Sequence, residues 1–198
     1  MSTVYQTSSQ YRFQILAQLN EKVFHIDDLA RIWQISSTNT LRVTIHRYIK
    51  KGLLFRIYRG FYSIVPFEKL DPFFLGIKAL HQFSYVSTES ILAEAGVIMQ
   101  IPSKITLISA ESRQYTIGNY EYQSRKLQDQ FLFNSVGIKD TNEFKKACIE
   151  RAVADLLYYN SKFYFDNYSL IDWQKVKKLQ KIIGYPVTNY KKEVGGFR

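Results

Sequence analysis

From Ser36 to Ile64 the chain reads SSTNTLRVTIHRYIKKGLLFRIYRGFYSI, and its hydrophobic period changes once, at Gly52. Before the glycine, Leu41, Ile45, Tyr48 and Ile49 recur at the spacing of one helix face. After it, Phe55 and Ile57 alternate with Arg56 and Tyr58, as residues of a half-buried strand do. Gly60 follows, and glycine enters the left-handed turn conformation without the steric cost that a Cβ brings. The spacing therefore predicts a helix that stops at Gly52 and a two-stranded hairpin after it.

Upstream segments supply that helix with partners. SSQYRFQILAQLN carries Phe13, Leu16, Ala17 and Leu19 at helical spacing behind a serine-rich start, and VFHI has the composition of a short strand. In DDLARIW, Asp27 is placed to cap a second helix and Asp28 to sit in its first turn, where a carboxylate faces the positive end of the helix dipole. Only QISS separates this helix from the next, so the two must meet at a steep angle, as in a helix-turn-helix. With the hairpin as a wing, residues 1–66 read as a winged helix-turn-helix domain.

Charge points to what such a domain would hold. The 198 residues include 27 Lys and Arg against 17 Asp and Glu, a net of +10 that suits nucleic acid or an acidic partner. Through Pro66 alone, nine Lys and Arg stand against three Asp and Glu, a net of +6. If the helix buries Leu41, Ile45, Tyr48 and Ile49, then Asn39, Arg42, Val43, His46 and Lys50 face away from the core. A recognition helix offers its N-terminal residues to base edges in the major groove, while flanking cations neutralise phosphates and set the register. Ser37, Thr38, Asn39, Thr40 and Arg42 occupy the base-facing end, and Asn and Arg can each bind a base through two hydrogen bonds. Arg47, Lys51, Arg56 and Arg59 suit phosphate; Lys50 and His46 join the set through their face. Exposed helix and hairpin positions are often basic without touching DNA, and some winged helices mediate only protein contacts. The lack of any acid between Asp28 and Val65 favours DNA.

The composition shifts at VPFEKLDPF, which marks residues 67–198 as a second domain. DPFFLGIKAL begins with a proline tolerated in a first helical turn, and STESILAEAG has Ser87 as cap and Gly96 as stop. KITLIS, QYTI and YEYQSR are rich in β-branched and aromatic residues and read as a small antiparallel sheet. Two helices close the domain, one in EFKKACIERAVADLLYYN and one in SLIDWQKVKKLQKII. Fifteen Tyr and fourteen Phe are mostly core material, but LLYYNSKFYFDNY is dense enough that Tyr159, Phe163, Tyr164, Phe165 and Tyr168 are candidates for a partner surface. The basic, glycine-containing end NYKKEVGGFR reads as a mobile tail.

Catalytic chemistry finds little footing. The single Cys148 can build neither a disulfide framework nor a thiolate zinc site, and His25, His46 and His81 are scattered. There is no glycine-rich phosphate loop and no strained strand-to-helix serine. Glu143 and Lys145, with Asp129 or Asp140 upstream, weakly imitate the carboxylate-lysine pattern of metal-dependent nucleases, yet DTNEFKK reads as a solvated loop leading into a helix. Glu150 and Asp155 are five residues apart, off one helix face, so ion-pair or capping roles fit them better than acid-base work. No catalytic residue, metal or cofactor is expected. The start MSTVYQTSSQYRF lacks the pattern of a signal peptide and no apolar run reaches membrane-spanning length, so the protein is expected in the cytoplasm.

The ordered series HIDDLARIWQISSTNTLRVTIHRYIKKGLLFRIYRGFYSI, DPFFLGIKAL, SYVSTESILAEAGVI and ERAVADLLYYN resembles the antitoxin family of AbiE-type abortive-infection systems, the AbiEi-like transcriptional regulators, over nearly the whole chain. That resemblance implies a winged helix-turn-helix that represses its own operon, joined to a C-terminal domain that counters a nucleotidyltransferase toxin. Where the family usually has a PEKAL-DLL element, this chain has CIERAVADLL, which keeps Glu150, Ala152, Asp155, Leu156 and Leu157 but lacks the proline. The chain is also shorter than typical two-domain antitoxins, so autorepression carries over more safely than toxin neutralisation. The combined expectation is an α+β protein, with a winged helix-turn-helix followed by a mixed α/β domain with a small antiparallel sheet and C-terminal helices. Its partners would be double-stranded operator DNA and a nucleotidyltransferase toxin, with a homodimer on DNA allowed. A metal-dependent nuclease acting on DNA and a plain regulator answering to a small ligand are the alternatives.

Overall fold

The structure, a computed structural model, describes residues 9–188. The tail read in NYKKEVGGFR lies outside the described residues. The chain is α+β and divides into two compact units between Asp71 and Pro72. That division falls beyond the composition shift at Pro66, because a 3-10 turn over Phe67–Lys69 carries the chain onward, closed by Lys69 N–H on the Pro66 carbonyl at 3.0 Å.

The first unit holds α1 (Ser9–Gln18), β1 (Val23–His25), α2 (Ile26–Trp33), α3 (Thr38–Lys50), β2 (Phe55–Tyr58) and β3 (Phe61–Ser63). Its strands form an antiparallel sheet in the order β1-β3-β2. One core joins Leu16 of α1, Phe24 of β1, Leu29 and Trp33 of α2, Leu41, Ile45 and Tyr48 of α3, and Tyr62 of β3. Burial of each large side chain stabilises the fold by about 1.5–3 kcal/mol, so the sheet and the three helices stand or fall together. Among the described side chains of α1 only Leu16 is fully buried; Ala17 and, just past the helix, Leu19, both expected on the apolar face, are exposed.

Local chemistry fixes the helix ends. The α2 N-cap is His25 rather than Asp27, because β1 runs straight into the helix. Asp28 then reaches back to accept from the His25 backbone N–H at 3.1 Å and also pairs with Arg31. Gln34 takes the left-handed conformation (φ 53°) that stops α2, and the Ser37 hydroxyl caps α3 by accepting from Thr40 N–H at 3.4 Å. Gly60, at φ +89°, closes the β2–β3 hairpin as its sequence position requires.

The second unit comprises α4 (Pro72–Leu80), β4 (Ser84–Val86), α5 (Glu89–Glu94), β5 (Ile105–Ser109), β6 (Arg113–Ile117), β7 (Tyr120–Lys126), α6 (Asp129–Leu132), β8 (Ile138–Asp140), β9 (Lys145–Ala147), α7 (Ile149–Tyr159) and α8 (Trp173–Ile183). Its sheet is six-stranded and mixed, in the order β6-β7-β5-β4-β9-β8, rather than small and antiparallel. β5 pairs with β7, and β4 with β9, in parallel. The segment expected as one helix from EFKK onward is first a strand: Lys145–Ala147 pairs with β8, and the helix begins at Ile149. Thr88, not Ser87, stands at the start of α5, since the Ser87 hydroxyl is committed to Asp155 at 2.7 Å.

α7 is the axis of this unit. Ala152, Val153 and Ala154 are buried, the close packing that small residues permit, and α7 packs against α5, α8 and β9. Two charged residues are buried with them. Arg151 Nε donates to Asp155 at 2.8 Å, and its other nitrogens donate to the carbonyls of Phe131, Asn134 and Val136 and to the Tyr85 hydroxyl. Asp155 also accepts from Ser87, Tyr85 and Tyr185. Burial, with the Asp155 charge adding to it, pushes both tyrosine hydroxyls well up, so they remain protonated donors.

Candidate nucleic-acid interface

The candidate surface is built on α3 and the β2–β3 hairpin. Ser37 and Thr38 open α3; Asn39, Thr40, Arg42, His46, Arg47 and Lys50 lie along it; Lys51 caps it; Arg56 lies on β2 and Arg59 in the hairpin turn. All of these side chains are exposed. The helix sorts them by its period, since Leu41, Thr44, Ile45 and Tyr48 are buried on the opposite face. Strand β2 sorts its residues by alternation, with Phe55 and Ile57 half-buried and Arg56 and Tyr58 exposed.

Electrostatically the surface is one-sided. Among the described residues, none of Arg42, Arg47, Lys50, Arg56 and Arg59 has a carboxylate partner within 4.0 Å. Residues 29–67 contain no Asp or Glu at all, which leaves these cations free to face an anion without first breaking an ion pair. Within the same helix sequence reasoning left one exposed residue without a role: Val43, 49% accessible between Arg42 and Thr44. The signal was present in the sequence, as an apolar residue on the polar face.

The aromatic candidates of the second unit do not form one surface. Tyr159 donates to the Lys126 carbonyl at 2.8 Å beneath the Arg125 guanidinium, and burial pushes its hydroxyl up. Phe165 is only 2% accessible, packed between Phe163 and Trp173, so it is core and not partner surface. Tyr168 stacks on Trp173 at 4.5 Å. Tyr164, at 64% accessible, and half-buried Phe163 instead line a cleft of about 790 Å³ with Met99, Ile101 and Pro102.

Of the residues weighed for nuclease chemistry, the structure brings Asp140 and Lys145 together on one hairpin, as an ordinary cross-strand ion pair. DTNEFKK runs from the last residue of β8 through the hairpin turn into β9, rather than forming a loop that leads into a helix. Asp140 and Lys145 face each other across it and pair at 2.8 Å, which holds the Asp140 carboxyl below its usual range. Asp129 opens α6 and Glu143 lies in the hairpin turn. Among the described residues, no three His, Cys, Asp or Glu side chains come together as metal ligands would. Glu150 pairs with Lys175 at 2.9 Å and Asp155 with Arg151, the ion-pair roles expected of them.

The fold is similar to that of the RV2827C protein from Mycobacterium tuberculosis, known from a crystal structure. The TM-score is 0.53 at 11% sequence identity, and the match covers 90% of this chain and 72% of that one. At that identity the likeness is one of fold. No protein-family model and no curated protein matches the sequence. No helix among the described residues is long and apolar enough to cross a membrane.

Proposed function

We propose that this protein is a sequence-specific double-stranded DNA-binding repressor whose first unit is a winged helix-turn-helix. In this reading α2 and α3 are the helix pair, α3 enters the major groove and the β2–β3 hairpin is the wing. One observation carries the proposal: the DNA-facing residues read from the sequence are all exposed on α3 and its following hairpin, and five of their cations have no acidic partner among the described residues. Such a surface gains counterion-release free energy on meeting phosphate and loses no internal ion pair in doing so. Binding of a labelled duplex from upstream of the protein's own gene, compared with random duplex in fluorescence anisotropy, tests it. Tight, salt-sensitive binding with preference for the upstream duplex is the expected result, and no binding at low salt overturns it.

For the second unit we propose a binding role within a toxin-antitoxin or phage-defence operon, opposing a nucleotidyltransferase toxin. The resemblance to AbiE-type antitoxins supports this, as does the pairing of Asp140, Glu150 and Asp155 with cations, and among the described residues no three His, Cys, Asp or Glu side chains gather as metal ligands would. Co-expression with the toxin encoded beside it should restore growth, and Glu143→Ala should leave that rescue intact. Failure of rescue with DNA binding retained would leave a plain repressor. Metal-dependent cleavage of plasmid DNA, abolished by Glu143→Ala, would replace both readings with a nuclease.

A further inference from the structure

We infer that Val43 reads the C5-methyl group of a thymine, and so makes the operator depend on a T·A pair; this rests on the reading of α3 as the DNA-entering helix. Apart from Thr44, whose small side chain is buried with Leu41, Ile45 and Tyr48, the helix otherwise exposes its polar and basic residues. Val43 breaks that sorting, with an isopropyl group 49% accessible on the polar face. Its surface neighbours at three and four residues are Asn39 and Thr40 on one side and His46 and Arg47 on the other, all exposed. An apolar group at the centre of a hydrogen-bonding, cationic patch contributes nothing to phosphate binding. It has one apolar counterpart on the major-groove floor, the thymine methyl, which cytosine lacks.

Geometry fixes where that contact falls. An α-helix rises about 1.5 Å per residue, so Val43 lies about 6 Å further along α3 than Asn39. With base pairs stacked about 3.4 Å apart, the thymine lies within about two steps of the base that Asn39 reaches. A branched Cβ also holds Val in one dominant helical rotamer, so its methyl groups are fixed before DNA arrives and little torsional freedom is lost on contact. Asn39 and Arg42 would then supply the hydrogen-bonded reading of adenine and guanine, and Val43 the apolar reading next to them.

The test uses the full chain and a pool of duplexes randomised over the binding region. Sites enriched by the wild-type protein are remade with 2′-deoxyuridine in place of each thymine in turn, which deletes only the methyl group. Wild type should lose about threefold to fivefold in affinity at one thymine, the worth of one buried methyl. Val43→Ala, which favours the helix and so keeps the fold, should start weaker by a similar factor and lose little more on the uridine duplex. Val43→Ile should retain the discrimination. The inference is overturned if uridine costs the two proteins the same, if no thymine matters, or if the pool is bound without enrichment, all of which leave α3 a DNA-binding helix. No binding of the pool at low salt would remove that reading too.

Discussion

Arg151 and Asp155 lie one turn apart on α7 and pair at 2.8 Å with neither side chain open to solvent. Burial works against the Arg151 charge, but the Asp155 carboxylate outweighs it and holds the guanidinium's proton affinity above its ordinary value. The pair ties three layers together, because Arg151 also donates to the 131–136 turn and Asp155 accepts from Ser87 beside β4. Removing one member of such a pair leaves an uncompensated buried charge, worth about 3–5 kcal/mol. Arg151→Met should lose about that much in urea unfolding. Arg151→Lys should recover only part of it, since an ammonium cannot span the carboxylate and three carbonyls with a planar fork.

Gly76 is a second site where the close fit can be measured. It lies on α4 against the buried ring of Tyr122, and a Cβ added there would meet ring carbons at 2.5 and 2.6 Å. Tyr122 cannot swing away, because its hydroxyl donates to the Pro72 carbonyl at 2.9 Å and its ring stacks on Tyr115. Gly→Ala in an open helix stabilises by up to about 1 kcal/mol. Here overpacking should reverse the sign, and Gly76→Ala should cost roughly 1–3 kcal/mol. A Tyr122→Leu background, which removes the ring, should shrink that penalty; an unchanged penalty would locate the cost elsewhere.

Between α7 and α8 the Glu150–Lys175 pair gives the stability a pH dependence of known sign. Burial pushes the Glu150 carboxyl up, but the hydrogen bond from Lys175 and backbone hydrogen bonding outweigh it, leaving it below the ordinary 4.5. A depressed folded-state pKa means stability that is fully present above about pH 4.5 and lost as pH falls through the lower folded value. Lys175 is shifted above 10.5, first by its hydrogen bond to Glu150, so its share is present below that pH and lost as pH rises further. Because the ammonium is largely in water, the pair is worth under about 1 kcal/mol. Lys175→Ala should therefore change the melting temperature slightly at pH 7 and flatten its fall below pH 4.5. An unaltered acid limb would assign that limb to other carboxyls.

The helix and hairpin about Gly52 were legible because each pattern is local: a period of 3.6 sorted Leu41 from Arg42, and a period of two sorted Phe55 from Arg56. The large sheet was not, because its decisive pairings join distant segments. β4 meets β9 in parallel through Val86 and Lys146, and nothing in the residues KKA announces a strand in mid-sheet. The same holds for Phe165, whose neighbours Phe163 and Tyr164 are equally aromatic; only the position of Trp173 decides that it is buried. Arg151 escaped notice because a buried arginine is legible only once its acceptors, several of them carbonyls on another segment, are in place. The place of Asp28 in the first turn of α2 is legible in the sequence, but His25 becomes the cap only because β1 runs directly into the helix.

The two halves of the candidate interface should fail differently when cut. Arg42 lies in the second turn of α3, one turn after Asn39, where the proposed docking would put bases within reach, and Arg59 lies at the hairpin tip. Arg42→Ala should therefore cost about 1–3 kcal/mol on the preferred duplex and little on random DNA, relaxing specificity. Arg59→Ala should weaken all duplexes alike and lower the salt slope by about one. For the wild type, four or five neutralised phosphates give a slope of about −4 in a plot of log affinity against log salt. Anisotropy titrations of both variants from low to high salt on both duplexes separate the roles. Equal losses in both variants on both duplexes would mean that neither reads bases, and a flat salt response would mean that DNA does not bind this face.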